Sequence, residues 1–181
     1  MDERNRVAWI YLLGFALDLV NMFAANVAMP RIGQDLAASV GLLSWVSGIY
    51  TLGLTAVIPA GPRLAAWLGE KPLIGVALAG FAAMSALAGA THDIHALIGW
   101  RFGQGLFGGL LIPVGQAWAY RLTPASERSA LTTRVMFVAL LIPALSPMLG
   151  GALVDAVSWR WLYLANVPLA LIVLALAVAW L

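Results

Sequence analysis

The sequence predicts an all-α, polytopic membrane protein with six transmembrane helices. Of its 181 residues, 62% are hydrophobic and only 10% are charged, and the mean hydropathy is +0.93. A soluble domain carries about 25% charged residues, so a chain this apolar could not cover its surface with polar groups. Six apolar stretches are also long enough to cross a bilayer core of ~30 Å. The connections between them are short, which predicts one domain over residues 1–181.

The elements follow from these apolar stretches and from the charges and turn residues that separate them. The eight tryptophans lie close to predicted span ends, as expected for an aromatic belt at the membrane interface. We place the spans near residues 7–29, 42–61, 72–90, 94–120, 135–154 and 161–181.

The basic residues predict the orientation. If the N-terminus is cytoplasmic, seven Arg and Lys residues fall on the inner side and only two on the outer side. This bias follows the positive-inside rule, so we expect a multi-pass protein of the cytoplasmic (inner) membrane with a cytoplasmic N-terminus. The first span is too long for the apolar region of a cleaved signal peptide, and it contains Asp18.

Other function classes find little support in the sequence. It contains no cysteine, nucleotide-binding loop, catalytic triad or metal-ligand cluster. His92 and His95 flank Asp93 at an outer turn, but a metal site needs three or four ligands. A net charge of +2 gives no indication of a nucleic-acid partner. We therefore predict neither an enzyme nor a metal or cofactor site.

The fourth span carries Arg101 and Gln104 within a stretch rich in glycine. Intramembrane charges usually face a bundle interior or an aqueous cavity and need a partner. Arg101 is either a structural ion-pair member or part of a functional site. Small-xxx-small spacing predicts close helix packing, and Pro113 predicts a kink. The glycines concerned are Gly99 with Gly103 and Gly105 with Gly109, and Gly108 shares the helix face of Arg101.

The first span offers a partner for this arginine. Asp18 lies at a similar depth, within reach of an arginine side chain, so we expect a direct or one-water contact between Asp18 and Arg101. The aspartate either only neutralises the arginine or exchanges its proton or its partner during a transport cycle. A polar stripe on this helix should face a cavity, because lipid would not tolerate it. The stripe contains Asp18, Asn21, Met22, Ala25 and Met29, and Phe15 and Asn26 flank it.

Several motifs carry a family resemblance over nearly the whole chain. The chain resembles the N-terminal six helices of a major facilitator superfamily transporter, and within that family it is similar to the EmrB/QacA-type drug:proton antiporters, the fourteen-helix branch. The most specific match is "WRWLYLANVP" at 159–168. The others are "RFGQGLFGG" at 101–109, "SPMLGG" at 146–151, "NVAMP" at 26–30, "WVSGIYTLGLTAVIP" at 45–59 and "PASERSA" at 124–130.

This resemblance implies a fold and a set of site residues. The fold would be one six-helix half made of a 3+3 inverted repeat. The branch's first-helix aspartate falls on Asn21, so Asp18 would take over proton coupling together with Arg101. The substrate cavity would include Phe15, Asn21, Met22, Asn26 and Gln104. Packing and gating would involve Gly105, Gly108, Gly109, Pro113, Pro143, Ser146, Pro147, Gly150 and Gly151, with Ser146 replacing a motif glycine.

The implied function is efflux of amphipathic small molecules across the cytoplasmic membrane, driven by the proton gradient without a cofactor. Besides the lipid bilayer and the substrate, the partners would be the C-terminal half of the same transporter or a second copy of this chain. A periplasmic adaptor is a further partner that the resemblance implies. The alternative is a non-transporting or homodimerising six-helix subunit that acts through helix–helix interaction.

Overall fold

Helices account for nearly all of residues 2–181, which the computed structural model describes, and this part of the chain contains no strand. The predicted all-α class is therefore confirmed. The helices are α1 (Glu3–Val27), α2 (Met29–Asp35), α3 (Val40–Val57), α4 (Gly61–Leu68), α5 (Glu70–Ala90), α6 (Ile94–Leu122), α7 (Arg128–Ala156), α8 (Arg160–Leu164) and α9 (Asn166–Trp180), with 3-10 turns at Ile58–Ala60 and Ala125–Glu127.

Local sequence signals set the ends of these helices. Asp2, Ser39 and Asp93 cap α1, α3 and α6 by accepting a hydrogen bond from a backbone N–H three residues further on, which satisfies a donor that the first helical turn leaves unpaired. Gly69 has φ +87° between α4 and α5. A residue with a side chain rarely adopts this conformation, so the glycine permits the tight connection.

Five helical segments in the described residues are long and apolar enough to cross a membrane. They are α1, α3 continued through α4, α5, α7 with the turn before it, and α8 continued through α9. The 29-residue α6 is also long enough, since it extends ~43 Å at 1.5 Å per residue. Its two arginines, its glutamines and its glycines lower its hydropathy, and its neighbours bury much of it.

The packing of the six segments has a reciprocal pattern. In the first half, α3 packs against α6, and in the second half α7 packs against α1. Likewise α5 contacts α6, while α9 contacts α1. The first three-helix group is α1, α3–α4 and α5, and the second is α6, α7 and α8–α9. In each group the middle segment packs against the first helix of the other group, as expected for two structural repeats.

The two middle segments are peripheral. About half of the most apolar window of α1 and of α5 is buried, but only 17% of that window in the α3–α4 segment and in α7. Large apolar side chains are therefore exposed along α7, and lipid or a further protein domain must cover them. They include Met136, Phe137, Leu140, Met148 and Leu149.

Charged residues gather at the two ends of the bundle. At one end Arg4 pairs with Glu127 at 2.7 Å, and Arg121 pairs with Glu70. At the other end Arg160 pairs with Asp35, and Arg31 lies 3.5 Å from Asp155. The closeness of Asp155 and Arg160 in the sequence favours a pair between these two residues, but none is found within 4.0 Å among residues 2–181. Asp35, the last residue of α2, pairs with Arg160 instead.

Candidate functional site

Arg101 lies at the centre of a buried polar network. Its side chain is only 1% exposed, although an intramembrane guanidinium is costly without partners. Its Nε donates to the Val46 carbonyl at 3.2 Å, and its Nη1 donates to Gln104 Oε1 at 2.8 Å and to Asn21 Oδ1. Neutral oxygens from three helices therefore solvate the charge.

Two aromatic rings flank the same guanidinium. The Cζ atom of Arg101 lies 4.2 Å from the ring centroid of Tyr50 and 5.5 Å from that of Tyr163. Within ~6 Å the ring face attracts a cation. Because both rings are buried, this attraction acts with little competition from solvent.

Asp18 lies beside this arginine without pairing to it directly. It is 2% exposed, and its Oδ1 accepts a hydrogen bond of 2.6 Å from the Tyr50 hydroxyl. No ion pair within 4.0 Å joins Asp18 and Arg101 among residues 2–181. The direct form of the expected contact is therefore absent, because the Tyr50 side chain bonds the carboxylate and also faces the guanidinium, and the one-water form stays a prediction. Both charged groups do face the bundle interior, as expected.

Gly108 provides the space for the Asp18 carboxylate. A Cβ atom at this position would overlap Asp18 Oδ1 and approach the Tyr50 hydroxyl to 3.3 Å. The glycine of the fourth-helix motif therefore packs against the aspartate of the first helix. The second carboxylate oxygen, Asp18 Oδ2, is buried and has no hydrogen-bond partner in the described part of the chain.

Asn21, rather than Asp18, makes the direct contact with Arg101. It is 2% exposed, and its amide oxygen accepts from Arg101. The position that carries an aspartate in the resembling branch thus still contacts the motif arginine, but through a neutral group. Consequently, the carboxylate nearest Arg101 lies one helical turn earlier, at Asp18.

The network continues to a fourth helix, α5, through Gln104. Gln104 is fully buried, and its Nε2 donates to Ser85 Oγ at 2.6 Å. Asp18 and Asn21 come from α1, Val46 and Tyr50 from α3, and Ser85 from α5. With Arg101 and Gln104 of α6 and Tyr163 of α8, the described network joins five of the six segments.

The remaining predicted cavity residues lie outside this buried network. Met22 is 37% exposed, and Asn26 is exposed and accepts a hydrogen bond of 2.7 Å from Ser47. Phe15 is half-buried and stacks on Tyr11 with 6.1 Å between ring centroids. The predicted stripe on α1 therefore divides into a buried charged edge and an exposed edge.

The predicted packing residues of α6 hold α3 at close range. A Cβ at Gly105 would overlap the Tyr50 carbonyl, and one at Gly109 would approach the Leu54 carbonyl to 2.6 Å. The α3 backbone therefore approaches α6 closely at both glycines of this pair. The first residue of the other expected pair, Gly99, has open space instead.

Proline and small residues shape the two helices that carry family motifs. Pro113 lies inside the continuous α6 and faces Gly61 of the α4 segment. In α7, Gly150 faces Ala24 and Gly151 faces Val27, both on α1. Proline cannot donate an N–H within a helix, so Pro143 and Pro147 interrupt the hydrogen bonding of α7 on either side of Ser146. The Ser146 hydroxyl donates to its own helix, to the Ile142 carbonyl at 2.6 Å.

Sequence reasoning missed three side chains of the network. Tyr50, Ser85 and Tyr163 lie in apolar spans, where one hydroxyl-bearing residue is unremarkable. Tyr50 and Tyr163 do fall within two of the quoted motifs, at 45–59 and 159–168. A polar side chain inside a motif that is otherwise an apolar membrane span was the signal that could have identified these two tyrosines.

Comparison with known proteins places the chain among transporters. The family model described as Major Facilitator Superfamily matches residues 11–181. The chain is 29% identical over 171 residues to a putative multidrug resistance protein MdtD of Salmonella paratyphi B, covering 94% of this chain and 36% of the relative. It is 32% identical over 160 residues to a probable multidrug resistance protein EmrY of Escherichia coli, covering 88% and 31%. The chain thus spans about a third of the length of these curated relatives.

Solved structures support the fold. The inward-open xylose transporter XylE from E. coli superposes with a TM-score of 0.80 at 14% identity, over 97% of this chain and 48% of that one. A bacterial homologue of the human lysosomal transporter Spinster gives a TM-score of 0.73 at 16% identity, over 99% and 43%. At these identities the likeness concerns the fold alone, and it confirms the predicted class, with the chain corresponding to about half of each transporter.

Proposed function

The chain belongs to the Major Facilitator Superfamily, as its motifs predicted, and from this premise we propose that the complete transporter exports amphipathic small molecules in exchange for protons. Its curated relatives bear the names of multidrug resistance proteins, which supports a transporter rather than an enzyme. This chain would supply one wall of a central cavity. A second six-helix half would supply the other, since transporters of this fold bind substrate between their repeats.

The observation that carries this proposal is the buried network around Arg101. Asp18 is the carboxylate that the sequence places deep within a span, and Tyr50 connects it to the arginine. An ionisable group at such a depth is a functional-site hypothesis by default. A purely structural ion pair would be expected to join the two charges directly, but here neutral groups satisfy the guanidinium and leave the carboxylate with one hydrogen bond.

In the proposed cycle, Asp18 binds a proton that enters from the outer side and releases it towards the cytoplasm. Protonation removes the negative charge and so weakens the attraction of Asp18 for Arg101. Because the network joins five of the six segments, a change of charge at its centre can alter the relative stability of two helix arrangements. A cationic substrate would favour the ionised carboxylate, so substrate binding and protonation would compete.

The exposed edge of α1 supports amphipathic substrates. Met22 and Phe15 offer apolar contact, and methionine adapts to varied shapes because its side chain is unbranched and polarisable. Asn26 adds a polar group on the same face. Movement of α3 and α7 would open and close this cavity, aided by the glycine contacts of α6 and by the prolines of α7.

The proposed setting follows from the charge distribution and from the family. The protein crosses the cytoplasmic membrane several times, with its N-terminus in the cytoplasm, and the proton gradient drives it without a cofactor. Its partners would be the lipid bilayer, the substrate and the missing half, supplied either by the same polypeptide or by a second copy. A periplasmic adaptor would be needed only if export continues beyond the outer membrane.

The test uses everted membrane vesicles that contain the complete transporter and have an acidic interior. Ethidium, a lipophilic fluorescent cation, should accumulate inside and leak out when ammonium collapses the pH gradient. Vesicles with Asp18→Asn should fail to accumulate it, whereas vesicles with Asp155→Asn should perform like the wild type, since Asp155 lies exposed at the outer rim. A non-transporting subunit would give no gradient-dependent accumulation of ethidium or of other amphipathic dyes at equal expression.

A further inference from the structure

We propose that Tyr50 is the positioning residue for the proton carrier: it holds Asp18 by a hydrogen bond and places its ring between that carboxylate and Arg101. Asp18 can then bind and release a proton without a direct ion pair. This inference rests on the role of Asp18 in the proposed function. It adds a residue of α3 to the pathway and explains how the two charges can lie close together and yet remain separate.

The geometry around Tyr50 supports the role. The side chain is fully buried, its hydroxyl donates to Asp18 Oδ1 at 2.6 Å, and its ring faces Arg101 at 4.2 Å. A hydrogen bond to a charged acceptor is stronger than one between neutral groups. The hydroxyl therefore stabilises the ionised carboxylate in a place where water is scarce, and the ring stabilises the cation at the same time.

Other titratable groups near Asp18 are few. Arg101 of α6 and Tyr50 of α3 act on the carboxylate, and Tyr163 of α8 lies beside the arginine. Of these groups, only Tyr50 donates a hydrogen bond to Asp18 within the described chain. Gly108 adds the space that the carboxylate occupies. The site therefore holds Asp18 by one specific bond, and that bond comes from a peripheral helix.

The position of Tyr50 on α3 gives the bond a second consequence. The α3 helix packs mainly on α6, and its backbone at Tyr50 lies against Gly105. A displacement of α3 relative to α1 would lengthen the bond to Asp18 and remove the stabilisation of the ionised form. Tyr50 thereby transmits the position of a peripheral helix to the proton-binding carboxylate.

The test measures the protonation of Asp18 directly by infrared spectroscopy of the purified, complete protein. The carboxyl band that is absent from Asp18→Asn identifies the protonated aspartate, and its intensity is followed as a function of pH. Tyr50→Phe keeps the ring and removes the hydroxyl. The midpoint of the band should then move to higher pH by about one unit, because the ionised form loses a charge-assisted hydrogen bond.

Tyr120→Phe is the matched control. It removes a tyrosine hydroxyl that also bridges two helices, to Thr132 at 2.8 Å. Tyr120 lies near the end of α6, away from the part of that helix that contacts Asp18. Its Asp18 midpoint should equal that of the wild type. An unchanged midpoint in Tyr50→Phe would overturn the role of Tyr50.

The outcomes separate this inference from the proposed function. If no titrating band disappears in Asp18→Asn, Asp18 exchanges no proton, and both the inference and the proposed coupling residue are wrong. If Tyr50→Phe shifts the midpoint but vesicles show no gradient-driven transport, the role of Tyr50 stands and the proposed function fails.

Discussion

A single missing methyl group on α6 determines whether Asp18 fits against its neighbours. A Cβ at Gly108 would overlap Asp18 Oδ1, whereas a Cβ at Gly99 on the same helix would have nothing within 4 Å. Both positions are helical, so the intrinsic gain in helix propensity from glycine to alanine is the same for both. The two glycines thus allow packing against the carboxylate to be separated from backbone effects.

Gly108→Ala should displace the Asp18 carboxylate and reduce proton-driven efflux, and it should lower the free energy of unfolding by about 1–3 kcal/mol through overpacking. Gly99→Ala should leave efflux and stability close to wild type. Vesicle transport and thermal unfolding in detergent check both variants. Equal behaviour of the two would mean that Asp18 does not rely on this space.

Asn21→Asp should convert the amide contact with Arg101 into a direct ion pair. Since the two side chains are already in contact, a carboxylate would hold α1 and α6 together more tightly, which should raise the unfolding temperature and slow turnover. Asn26→Asp, on the exposed side of the same helix, is the control and should change the unfolding temperature little. Faster turnover in Asn21→Asp would show that the neutral contact limits the cycle.

The sequence predicted several residues of this site, but not the hydrogen bond and ring contact of Tyr50 that connect them. Depth and helical face placed Asp18, Asn21 and Arg101 together, because both follow from spacing along one helix. The insertion of Tyr50 could not be predicted, since it depends on how α3 crosses α6. That crossing is set by tertiary contacts between glycines and backbone atoms, which spacing within a single helix does not encode.

At the scale of helices, the crossing of α3 and α6 depends on backbone-to-backbone contact. A Cβ at Gly53 would approach the Phe102 carbonyl to 2.5 Å, while one at Gly48, also on α3, would meet nothing within 4 Å. Gly53→Ala should therefore lower the free energy of unfolding by about 1–3 kcal/mol, and Gly48→Ala should not lower it. Thermal unfolding of the two variants side by side tests this, and equal stability would argue against a tight crossing.

At the end of the bundle opposite the N-terminus, the helices are joined by a clamp formed by Asp35, Trp159 and Arg160. The Arg160 guanidinium and the Trp159 Nε1 both donate to Asp35 Oδ2, and Arg160 also donates to the Thr91 carbonyl at 3.1 Å. The motif at 159–168 thus fixes α2 and the turn before α6 to the start of α8. The motif is visible in the sequence, but the sequence does not indicate that Asp35 binds it, because Asp35 lies 124 residues before Trp159.

This clamp predicts a pH dependence. Hydrogen bonds from Arg160 and Trp159 lower the pKa of Asp35 below its usual value of 3.8, so the ionised carboxylate stabilises the folded state above that pH. The wild type should be more stable than Asp35→Asn at neutral pH, and the difference should disappear as the pH falls through the lowered pKa. Thermal unfolding at several pH values measures it.

Asp155→Asn serves as the control for the clamp, because Asp155 and Arg31 are mostly exposed and 3.5 Å apart. Its difference from the wild type at neutral pH should be much smaller. A stability difference for Asp35→Asn that persisted unchanged at low pH would assign the effect to packing rather than to charge.

At the scale of the whole molecule, the six segments form a unit with two exposed middle segments. The all-α class and the two-repeat arrangement were predictable, the first from hydropathy and the second from the family resemblance. The exposed apolar faces of α3 and α7 are surfaces that lipid or further protein must cover. Because Tyr50 lies on α3, a movement of that segment would reach Asp18 through the hydrogen bond between the two side chains.

In the proposed cycle Asp18 carries the proton, and proton release by the purified, complete transporter in weakly buffered detergent solution tests this claim. Addition of ethidium to the wild type should release protons that a pH-sensitive dye detects, because the bound cation displaces the proton from Asp18. Asp18→Asn should bind ethidium and release none, since the amide has no proton to give up at these pH values. Proton release by Asp18→Asn equal to that of the wild type would contradict the claim and assign the coupling to another residue.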